Sequence, residues 1–372
     1  MMRLLISAGG TGGGVYPALA VAEKWLGAGG GEDPGPRPAL LWLGTREGLE
    51  AEIVRRAGLP FTAIHAAGLH GVGWRRLPGN AWALVRGVFE SLQVIRQFRP
   101  GVVLVTGGFL AAPAALAAWL LGVPVAVYLP DLEPGLALRA VGRIAARVMV
   151  TAEAAGRFFD PARVVVTGYP VRAGLVRATR AEAQRYFGLD PARRTILVTG
   201  GSRGARSLNR ATLAALPEWL KDKQVIHLTG SLDWPEVEQA RAALPDDQRA
   251  HYHALPFLHE MGLALAAADV VVSRAGASSL GEYPLFGLPA VLAPYPYAWR
   301  YQKVNADYLV ARGAALRLDD ADLPTRLAGA VQDLLADEAR LAGMRAAARA
   351  AATPEAAEKI ARELTALARA HR

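Results

Sequence analysis

The chain has 372 residues, of which 52% are hydrophobic and 20% charged, so it is long enough for two domains with large cores. It has no cysteine, which excludes disulfides, thiolate nucleophiles and cysteine-ligated metals. The net charge is +9, but most basic residues are arginines scattered along the chain. This scatter argues against nucleic acid as a partner and fits attraction to the phosphates of lipids or of a small substrate.

Apolar, β-branched segments alternate with helical patterns along nearly the whole chain. Met1 leads directly into the first of them, so the sequence predicts no signal peptide. The predicted strands of the first half span residues 3–7, 39–43, 62–64, 102–106, 125–128, 148–150 and 164–167. Those of the second half span residues 195–199, 225–228, 252–254, 270–273, 290–293 and 315–318. Such alternation predicts an α/β fold with parallel sheets covered by helices on both faces.

Residues 109–129 form an apolar stretch that is long enough to cross a bilayer. Pro113 and Pro124 interrupt it, and the "GVP" sequence between its two halves is typical of a turn. The pattern therefore predicts a buried helix over residues 112–121, followed by a buried parallel strand over 125–128.

The second half repeats the pattern of the first, because "TILVTGGSRGARSLNRATLAAL" (195–216) is again strand, glycine loop and helix. The repeat predicts two doubly wound, Rossmann-like domains facing each other across a cleft, with ligands beyond the carboxyl ends of the strands. We expect an N-terminal domain over residues 1–168 and a C-terminal domain over 169–353. An alanine-rich helix over 354–372 is expected to pack back on the first domain.

The first glycine loop, "AGGTGGG" (8–14), holds five glycines between a strand and a helix. Glycines allow positive φ and close approach to main-chain N–H groups, and the positive end of the next helix points at the same place. The loop therefore predicts a diphosphate site. The G-x-G-x-x-G and G-x-x-x-x-G-K-[ST] patterns are both absent, which argues against nicotinamide cofactors and nucleoside triphosphatase chemistry.

Two further loops fit an anion. "VTGGFLAAP" (105–113) joins a strand to a helix, and "VVVSRAGASSLGE" (270–282) offers main-chain donors, Ser278, Ser279 and Arg274 to a pyrophosphate. Ser279 and Glu282 also have the spacing of a capping box. Ligand contact and helix capping both remain open for Ser279.

Five segments together resemble the MurG-type glycosyltransferases in order and spacing: "GGTGGGVYPALAVA", "GGFLAAP", "VTGGSRGARSLN", "SRAGASSLGE" and "GLPAVLAP…NA". The resemblance covers nearly the whole chain. It implies the two-domain GT-B fold and the transfer of N-acetylglucosamine from UDP-GlcNAc to lipid I, a polyprenyl-diphosphate-linked N-acetylmuramyl-pentapeptide. The product, lipid II, is used for peptidoglycan synthesis, on which cell shape and cell division depend.

The resemblance also implies a donor site on the second domain. It assigns Arg172, Ser202 and Arg203 to the diphosphate and places Phe257 and Leu258 at the uracil. It also places residues 277–279 at a helix start under the phosphates and assigns Glu282 to the ribose. The implied donor residues are Arg172, Ser202, Arg203, Phe257, Leu258, Ala277, Ser278, Ser279, Glu282 and Gln302. For the acceptor diphosphate it implies Thr11, Gly12, Gly13, Gly14, Gly107 and Gly108.

The chain departs from the family near the sugar and the acceptor. Gly14 stands where the family usually has histidine, and "YLPD" (128–131) replaces a block close to H-E-Q-N. In "YAWRYQ" (297–302) only Gln302 remains of the family's H-x-D-x-Q-Q, and Tyr301 replaces a glutamine expected to contact the sugar.

The chemistry implied is an inverting, metal-independent displacement that needs no cofactor. Helix N-termini, hydroxyls and Arg203 or Arg274 would neutralise the charge that develops on UDP. The D-x-D segment over residues 320–322 precedes a helix and is predicted to cap it rather than to bind metal.

A general base is expected to activate the acceptor hydroxyl. Because position 14 is glycine, we predict Asp131 and Glu133 in "YLPDLEPG" for this role, with capping of a helix near Gly135 as the alternative. His65 and His70 are the next candidates.

Residues 68–98 mix tryptophan, leucine and phenylalanine with arginine, and their only acid is Glu90. This basic amphipathic pattern predicts contact with an anionic membrane surface, so the protein is expected on the cytoplasmic side of the cell membrane as a peripheral protein. The alternative is a helix that packs its aromatic residues, among them Trp74 and Trp82, into the domain core.

Three other functions remain open at this stage. One is a related GT-B enzyme that glycosylates another lipid, such as a diacylglycerol. Another is a UDP-sugar 2-epimerase, which shares the fold. The third is a degenerate relative that binds a UDP-sugar without turnover, as Gly14 and Tyr301 would allow.

Overall fold

The computed structural model describes residues 2–9, 12–27, 38–46, 48–66, 77–108, 110–201, 204–297 and 301–371. The chain divides into two compact units. The first comprises Met1–Arg172 together with Pro354–Arg372, and the second comprises Ala173–Thr353. The first unit thus runs to Arg172, whereas the sequence predicts residue 168 as the boundary.

The first unit is built on a parallel sheet of seven strands in the order β3-β2-β1-β4-β5-β6-β7. The strands are β1 (Arg3–Ala8), β2 (Ala39–Gly44), β3 (Phe61–Ala63), β4 (Val102–Gly107), β5 (Val125–Leu129), β6 (Arg147–Val150) and β7 (Val164–Val166). Its helices are α1 (Gly12–Gly27), α2 (Leu49–Arg56), α3 (Leu77–Phe98), α4 (Ala111–Leu120), α5 (Leu136–Val141), α6 (Glu153–Gly156) and α16 (Ala356–Ala370).

The second unit is built on a parallel sheet of six strands in the order β10-β9-β8-β11-β12-β13. The strands are β8 (Arg194–Thr199), β9 (Lys223–Leu228), β10 (Tyr252–Leu255), β11 (Val270–Ser273), β12 (Ala290–Leu292) and β13 (Ala315–Arg317). Its helices are α7 (Arg180–Phe187), α8 (Arg206–Trp219), α9 (Trp234–Ala242), α10 (Asp246–Arg249), α11 (Met261–Ala267), α12 (Glu282–Phe286), α13 (Tyr301–Ala311), α14 (Leu323–Ala336) and α15 (Glu338–Ala350).

The central strands are buried on both faces, which explains their continuous apolar sequences. Leu4, Leu5 and Ile6 of β1 have no exposed surface, and Val270, Val271 and Val272 of β11 have none either. All thirteen predicted strands are present, and their ends agree with the predicted ends to within two residues. The predicted α/β class and the parallel sheets are confirmed.

Residues 109–129 resolve into α4 and β5, as predicted. Ala114, Ala115, Ala117 and Ala118 of α4 are completely buried, and so are Ala126 and Val127 of β5. Across the described residues, none of the helices combines the length and the apolar character that a bilayer crossing requires.

The last helix, α16, completes the core of the first unit. Ile360, Leu364 and Ala368 on one face of α16 join the apolar cluster formed around β1, β4 and α1. The core of this unit is therefore formed by segments from both ends of the chain.

Local sequence sets both ends of α7. Thr179 caps α7 through its hydroxyl, which accepts from the Glu182 N–H, while the Glu182 carboxylate accepts from the Thr179 N–H. The same helix ends at Gly188, whose φ of 68° is the left-handed conformation that glycine adopts most easily.

Candidate functional site

The first glycine loop leads directly into α1, which begins at Gly12. Gly12 and Gly13 are partly exposed, whereas Gly14 is buried, and Thr11 lies outside the described residues. The main-chain N–H groups of the first helical turn have no partner within the helix, so this end of α1 suits an anion.

Gly14 is held by a neighbour from another strand. The Thr106 hydroxyl, at the end of β4, donates to the Gly14 carbonyl over 3.0 Å. A Cβ on residue 14 would lie 3.0 Å from the same Thr106 oxygen. Thr106, which sequence reasoning did not single out, therefore fills the space beside position 14.

The second glycine loop of this unit follows β4. Gly107 and Gly108 have φ angles of 123° and 75°, which side chains other than glycine rarely adopt. Phe109 lies outside the described residues. β1 and β4 are neighbours in a parallel sheet, so the two glycine loops of the first unit leave the same carboxyl edge side by side.

Asp131 and Glu133 follow β5 at this same edge. The Glu133 carboxylate accepts from Arg157 over 3.4 Å and has only 16% of its side chain exposed. The N-cap residue of α5 is Gly135, so neither Asp131 nor Glu133 occupies the N-cap position of that helix.

Tyr128, the first residue of the "YLPD" segment, is a structural residue. Its hydroxyl shares a hydrogen bond of 2.9 Å with the Thr151 hydroxyl and donates to the Gly168 carbonyl over 3.2 Å. Complete burial raises the pKa of the Tyr128 phenol well above its ordinary value.

His65, just after β3, is paired with a carboxylate from α3. Its Nδ1 lies 2.8 Å from Glu90 Oε1, and its main-chain N–H donates to Glu90 Oε2 over 2.7 Å. Burial raises the pKa of Glu90, but the hydrogen bonds from His65 and Arg86 outweigh it and hold that pKa below its ordinary value. The second histidine candidate, His70, lies outside the described residues.

Gly87 lets α3 come close to His65. A Cβ on residue 87 would lie 2.2 Å from the His65 carbonyl oxygen and 3.4 Å from the Pro113 side chain of α4. His65 therefore lies beside the start of α4, which follows the Gly107–Gly108 turn. The pairing of His65 with Glu90 had no signal in the sequence, since the two residues are 25 positions apart.

In the second unit, a glycine loop joins β8 to α8. Gly201 and Gly204 have φ angles of 81° and 76°, and Ser202 and Arg203 lie outside the described residues. The third residue expected at the donor diphosphate, Arg172, belongs to the first unit, where its guanidinium lies 4.6 Å from the centre of the Tyr16 ring.

The loop after β11 contains a short 3₁₀ helix over Ala277–Leu280, followed by α12 from Glu282. The Ser279 hydroxyl donates to the Gly276 carbonyl over 2.7 Å. Of the two alternatives for Ser279, the capping box with Glu282 is therefore not formed, since the N-cap residue of α12 is Gly281. Ala277 and Ser279 are buried, while Ser278 and Glu282 are partly exposed.

Arg274 and Asp320 form an ion pair in the second unit. Arg274 Nη1 lies 2.5 Å from Asp320 Oδ1, and its Nη2 donates to Ser207 Oγ over 2.7 Å. Asp320 thus binds Arg274. Asp322, from the segment predicted to cap the next helix, stands at the N-cap position of α14, but its side chain forms no capping hydrogen bond. The positive charge of Arg274 is already balanced, so it is less suited to a diphosphate than expected.

The remaining donor candidates of this unit also follow strand ends. Phe257, after β10, is nearly half exposed and packs edge-on against the His259 ring, with ring centres 4.8 Å apart, and Leu258 is partly exposed. The side-chain oxygen of Gln302, at the start of α13, accepts from the Tyr295 N–H over 2.9 Å. Its amide NH₂ group donates to no residue that the structure describes.

Among the described residues, no group of three histidine, cysteine, aspartate or glutamate side chains is arranged to hold a metal ion. The features gathered at the carboxyl edges are instead glycine loops, helix starts and hydroxyls, all of which suit phosphates.

The architecture of two parallel-sheet α/β units is that of the GT-B glycosyltransferases. A solved structure of MurG from Acinetobacter baumannii has a TM-score of 0.73 and 24% identity, covering 98% of this chain and 99% of that chain. The fold is shared with UDP-GlcNAc 2-epimerase from Neisseria meningitidis, whose TM-score is 0.71 at 13% identity, over 98% of this chain and all of the other.

The sequence identifies the family within this class. Residues 4–150 match the glycosyltransferase family 28 N-terminal domain, and residues 195–360 match its C-terminal domain. The chain belongs to glycosyltransferase family 28. A relative from Desulforudis audaxviator is 40% identical over 370 residues, which cover 96% of each chain. That relative is named UDP-N-acetylglucosamine–N-acetylmuramyl-(pentapeptide) pyrophosphoryl-undecaprenol N-acetylglucosamine transferase.

Proposed function

We propose that this protein transfers N-acetylglucosamine from UDP-GlcNAc to a polyprenyl-diphosphate-linked N-acetylmuramyl-pentapeptide, in peptidoglycan synthesis. The observation that carries the proposal is the 40% identity to a transferase of that name over 96% of both chains. The two family 28 domains support the same activity. The fold alone would serve an epimerase equally well, but the epimerase likeness has only 13% identity.

The donor is proposed to bind the second unit at the loops after β8, β10 and β11. The partly exposed Ser278 and the start of the 3₁₀ helix at Ala277 support a phosphate contact there. The Ser279 hydroxyl donates to Gly276, so its remaining role toward a ligand would be as an acceptor. Glu282 would accept from the ribose hydroxyls, and the amide NH₂ of Gln302 would donate to the sugar.

The acceptor diphosphate is proposed to bind the first unit. The start of α1 at Gly12 and the consecutive left-handed residues Gly107 and Gly108 both present main-chain N–H groups at the carboxyl edge. These two adjacent loops can donate to the several oxygens of a diphosphate without any side chain.

In the proposed reaction, the acceptor hydroxyl oxygen attacks the anomeric carbon while the bond from that carbon to the UDP oxygen breaks. The configuration at the carbon inverts, and UDP leaves with the bonding electron pair. The hydroxyl proton passes to a base on the protein. Main-chain donors, serine hydroxyls and Arg203 would stabilise the UDP charge, so the proposal requires no metal and no cofactor.

Asp131 and Glu133 are proposed as the base, because both follow β5 at the edge that carries the glycine loops. Arg157 lies 3.4 Å from the Glu133 carboxylate and helps to hold it in place. His65 is the second candidate, since Glu90 at 2.8 Å fixes its Nδ1 and leaves Nε2 as the proton acceptor. The three variants Asp131→Asn, Glu133→Gln and His65→Gln separate these roles: loss of 10²–10⁴-fold in turnover with UDP binding kept identifies the base. Wild-type turnover in Asp131→Asn and Glu133→Gln would reject the first assignment.

Association with an anionic membrane surface, on the cytoplasmic side, is proposed for the first unit. Trp82 and Phe89 of α3 are 70% and 64% exposed, and Trp119 and Leu120 of the adjacent α4 are more than half exposed. These side chains do not fill the core, and large exposed apolar groups of this kind are typical of interfacial contacts. Trp74 and its neighbouring arginines lie outside the described residues.

The membrane contact is tested by sedimentation with vesicles that contain phosphatidylglycerol. Trp82→Ser with Phe89→Ser should lower the bound fraction severalfold. The matched control, Tyr186→Ser, removes an exposed aromatic side chain of the second unit and should leave the bound fraction unchanged. Equal partition of the double variant and the wild type would contradict the contact.

The activity itself is tested with radiolabelled UDP-GlcNAc and a short-chain lipid I analogue in EDTA. Labelled disaccharide lipid supports the proposal, including its independence of metal. Product only with a diacylglycerol would indicate the related lipid glycosyltransferase. Release of UDP without an acceptor would indicate the epimerase, and UDP binding without product would indicate a degenerate relative.

A further inference from the structure

A pocket of about 370 Å³ opens at the amino edge of the sheet in the first unit. It lies where β1, β4 and β5 begin and where α3, α4 and α16 end. The glycine loops proposed for the acceptor lie at the opposite, carboxyl edge of the same sheet. The volume falls within the range of small-molecule sites, which is roughly 300–1,000 Å³.

The pocket is positively charged. Arg3, Arg96 and Arg99 line it together with His371, and none of its described lining residues is acidic. Arg3 Nη1 donates to the Phe98 carbonyl over 2.8 Å. Arg96 and Arg99 form no ion pair with any other described residue, and their guanidinium groups keep their donors available.

Helix ends account for part of this charge only. A helix C-terminus carries about half a negative charge, so the ends of α3, α4 and α16 together balance about 1.5 unit charges. Three guanidinium groups carry twice that charge. The pocket therefore carries an excess of positive charge, and no carboxylate among its described lining residues reduces it.

The backbone at Arg99 is strained. Its φ is 51°, and it is the only described residue other than glycine with a positive φ. Its N–H donates to the Ile95 carbonyl over 2.8 Å, which is the hydrogen bond of a left-handed helix end where glycine is favoured. Such strained residues are found preferentially at functional sites. Here the strained residue lines the pocket.

The rest of the wall is apolar. Ile95, Val123 and Ala368 are buried beneath the arginines, and Leu121 is partly exposed beside them. A ligand that fits this surface has a compact anionic group and a small apolar or neutral remainder.

We propose that this pocket binds the phosphate group of a phosphate ester, at a site separate from the reaction loops. One bidentate guanidinium is enough for a carboxylate, whereas three guanidinium groups match the three oxygens and up to two charges of a phosphate. The same chemistry is offered by a soluble phosphate monoester and by a phospholipid headgroup.

The test uses the full-length protein saturated with UDP, so that the donor phosphate loops are occupied. The soluble probe is sn-glycerol 3-phosphate, followed by isothermal titration calorimetry. The lipid probe is a set of phosphatidylcholine vesicles with and without phosphatidylglycerol. Arg96→Gln with Arg99→Gly removes two guanidinium groups, and glycine suits the left-handed conformation at 99, so the unfolding midpoint should not fall.

The matched control is Arg143→Gln with Arg362→Gln, which removes two exposed charges from the same unit outside the pocket. Glycerol phosphate binding that weakens about tenfold or more in the pocket variant alone supports a soluble ester. A fall in phosphatidylglycerol-dependent partition in the pocket variant alone supports a lipid headgroup. Equal behaviour of the pocket and control variants toward both probes would overturn the proposal.

Discussion

Gly14 and Thr106 share one small space at the start of α1, where the hydroxyl of one donates to the carbonyl of the other. The residue at position 14 is therefore not free to vary by itself. Even the Cβ atom of a side chain at position 14 would lie only 3.0 Å from Thr106 Oγ1. The glycine and the threonine form a matched pair.

We expect Gly14→His to lower the free energy of unfolding by about 1–3 kcal/mol, because overpacking displaces buried neighbours. Adding Thr106→Ala should recover part of the loss, so the two changes should not be additive in a double-mutant cycle. Urea unfolding of the two single variants and the double variant measures the coupling. Strictly additive effects would contradict the contact.

The burial of His227 predicts how the stability of the protein depends on pH. It is completely buried, with Nδ1 2.7 Å from the Tyr252 hydroxyl and Nε2 3.0 Å from Asn209 Oδ1. The Asn209 NH₂ already donates to Thr229 and Asp233, so Oδ1 accepts from Nε2–H and the ring is neutral. Burial lowers the pKa of His227 from 6.5 to about 3.

The unfolded chain binds this proton more readily than the folded one, so stability is lost as the pH falls from about 6.5 toward 3. The slope for one group approaches about 1.4 kcal/mol per pH unit. Burial also lowers the pKa of His253, to about 4, and this adds to the loss in the same direction.

Urea unfolding between pH 7.5 and 5 tests whether His227 causes this loss of stability. His227→Gln keeps a donor and an acceptor without a titrating group, and it should reduce the slope. His259→Gln, which changes an exposed ring, is the control. The same slope in both variants would contradict the role of His227.

Side-chain partners of this kind could not be predicted from the sequence. Arg274 binds Asp320, 46 positions away, and Ser207, 67 positions away. Local spacing instead suggested capping for residues 320–322 and offered capping as one alternative for Ser279, but these side chains form no capping hydrogen bond to α14 or α12. Helix capping depends on residues three or four apart, whereas these partners meet only because parallel strands bring their loops to one edge.

At the scale of elements, α3 contains two glycines with very different surroundings, Gly79 and Gly87. A Cβ on Gly87 would lie 2.2 Å from the His65 carbonyl, while a Cβ on Gly79 would meet no atom of the described residues within 4 Å. Gly87 permits α3 to approach the segment after β3, and Gly79 has no such role.

Gly87→Ala should therefore destabilise the first unit by about 1–3 kcal/mol, even though alanine favours helix by about 1 kcal/mol. Gly79→Ala should be neutral or stabilising. Thermal unfolding of the two variants gives the comparison directly. Similar midpoints would show that α3 moves away from His65 without cost.

The elements themselves were largely predictable. Parallel strands covered on both faces are continuous apolar runs, and β11 matches its predicted bounds of 270–273. Glycine loops marked the places where strands give way to helices, as at Gly12 and Gly201. Roles in the site were accessible only through the resemblance, because a glycine loop alone does not distinguish among phosphate ligands.

At the scale of the molecule, α16 belongs to the unit that begins the chain. Leu364→Ala removes a completely buried side chain from that core and should cost about 2–5 kcal/mol. Hydrogen exchange resolved by peptide should show faster exchange in β1 and β4 and little change in β8. Leu341→Ala, a completely buried leucine of the second unit, should give the reverse pattern.

If both variants accelerated exchange in the same strands, the two units would unfold as one, and the division of the core would not hold.

During translation, the ribosome delivers α16 after the whole of the second unit. The sheet of the first unit is synthesised early, but its apolar surface for Ile360 and Leu364 stays uncovered until α16 has been made. The second unit is complete in the nascent chain before the first can be. A truncated message or a protease that removes residues 354–372 would therefore damage the part of the protein that was made first.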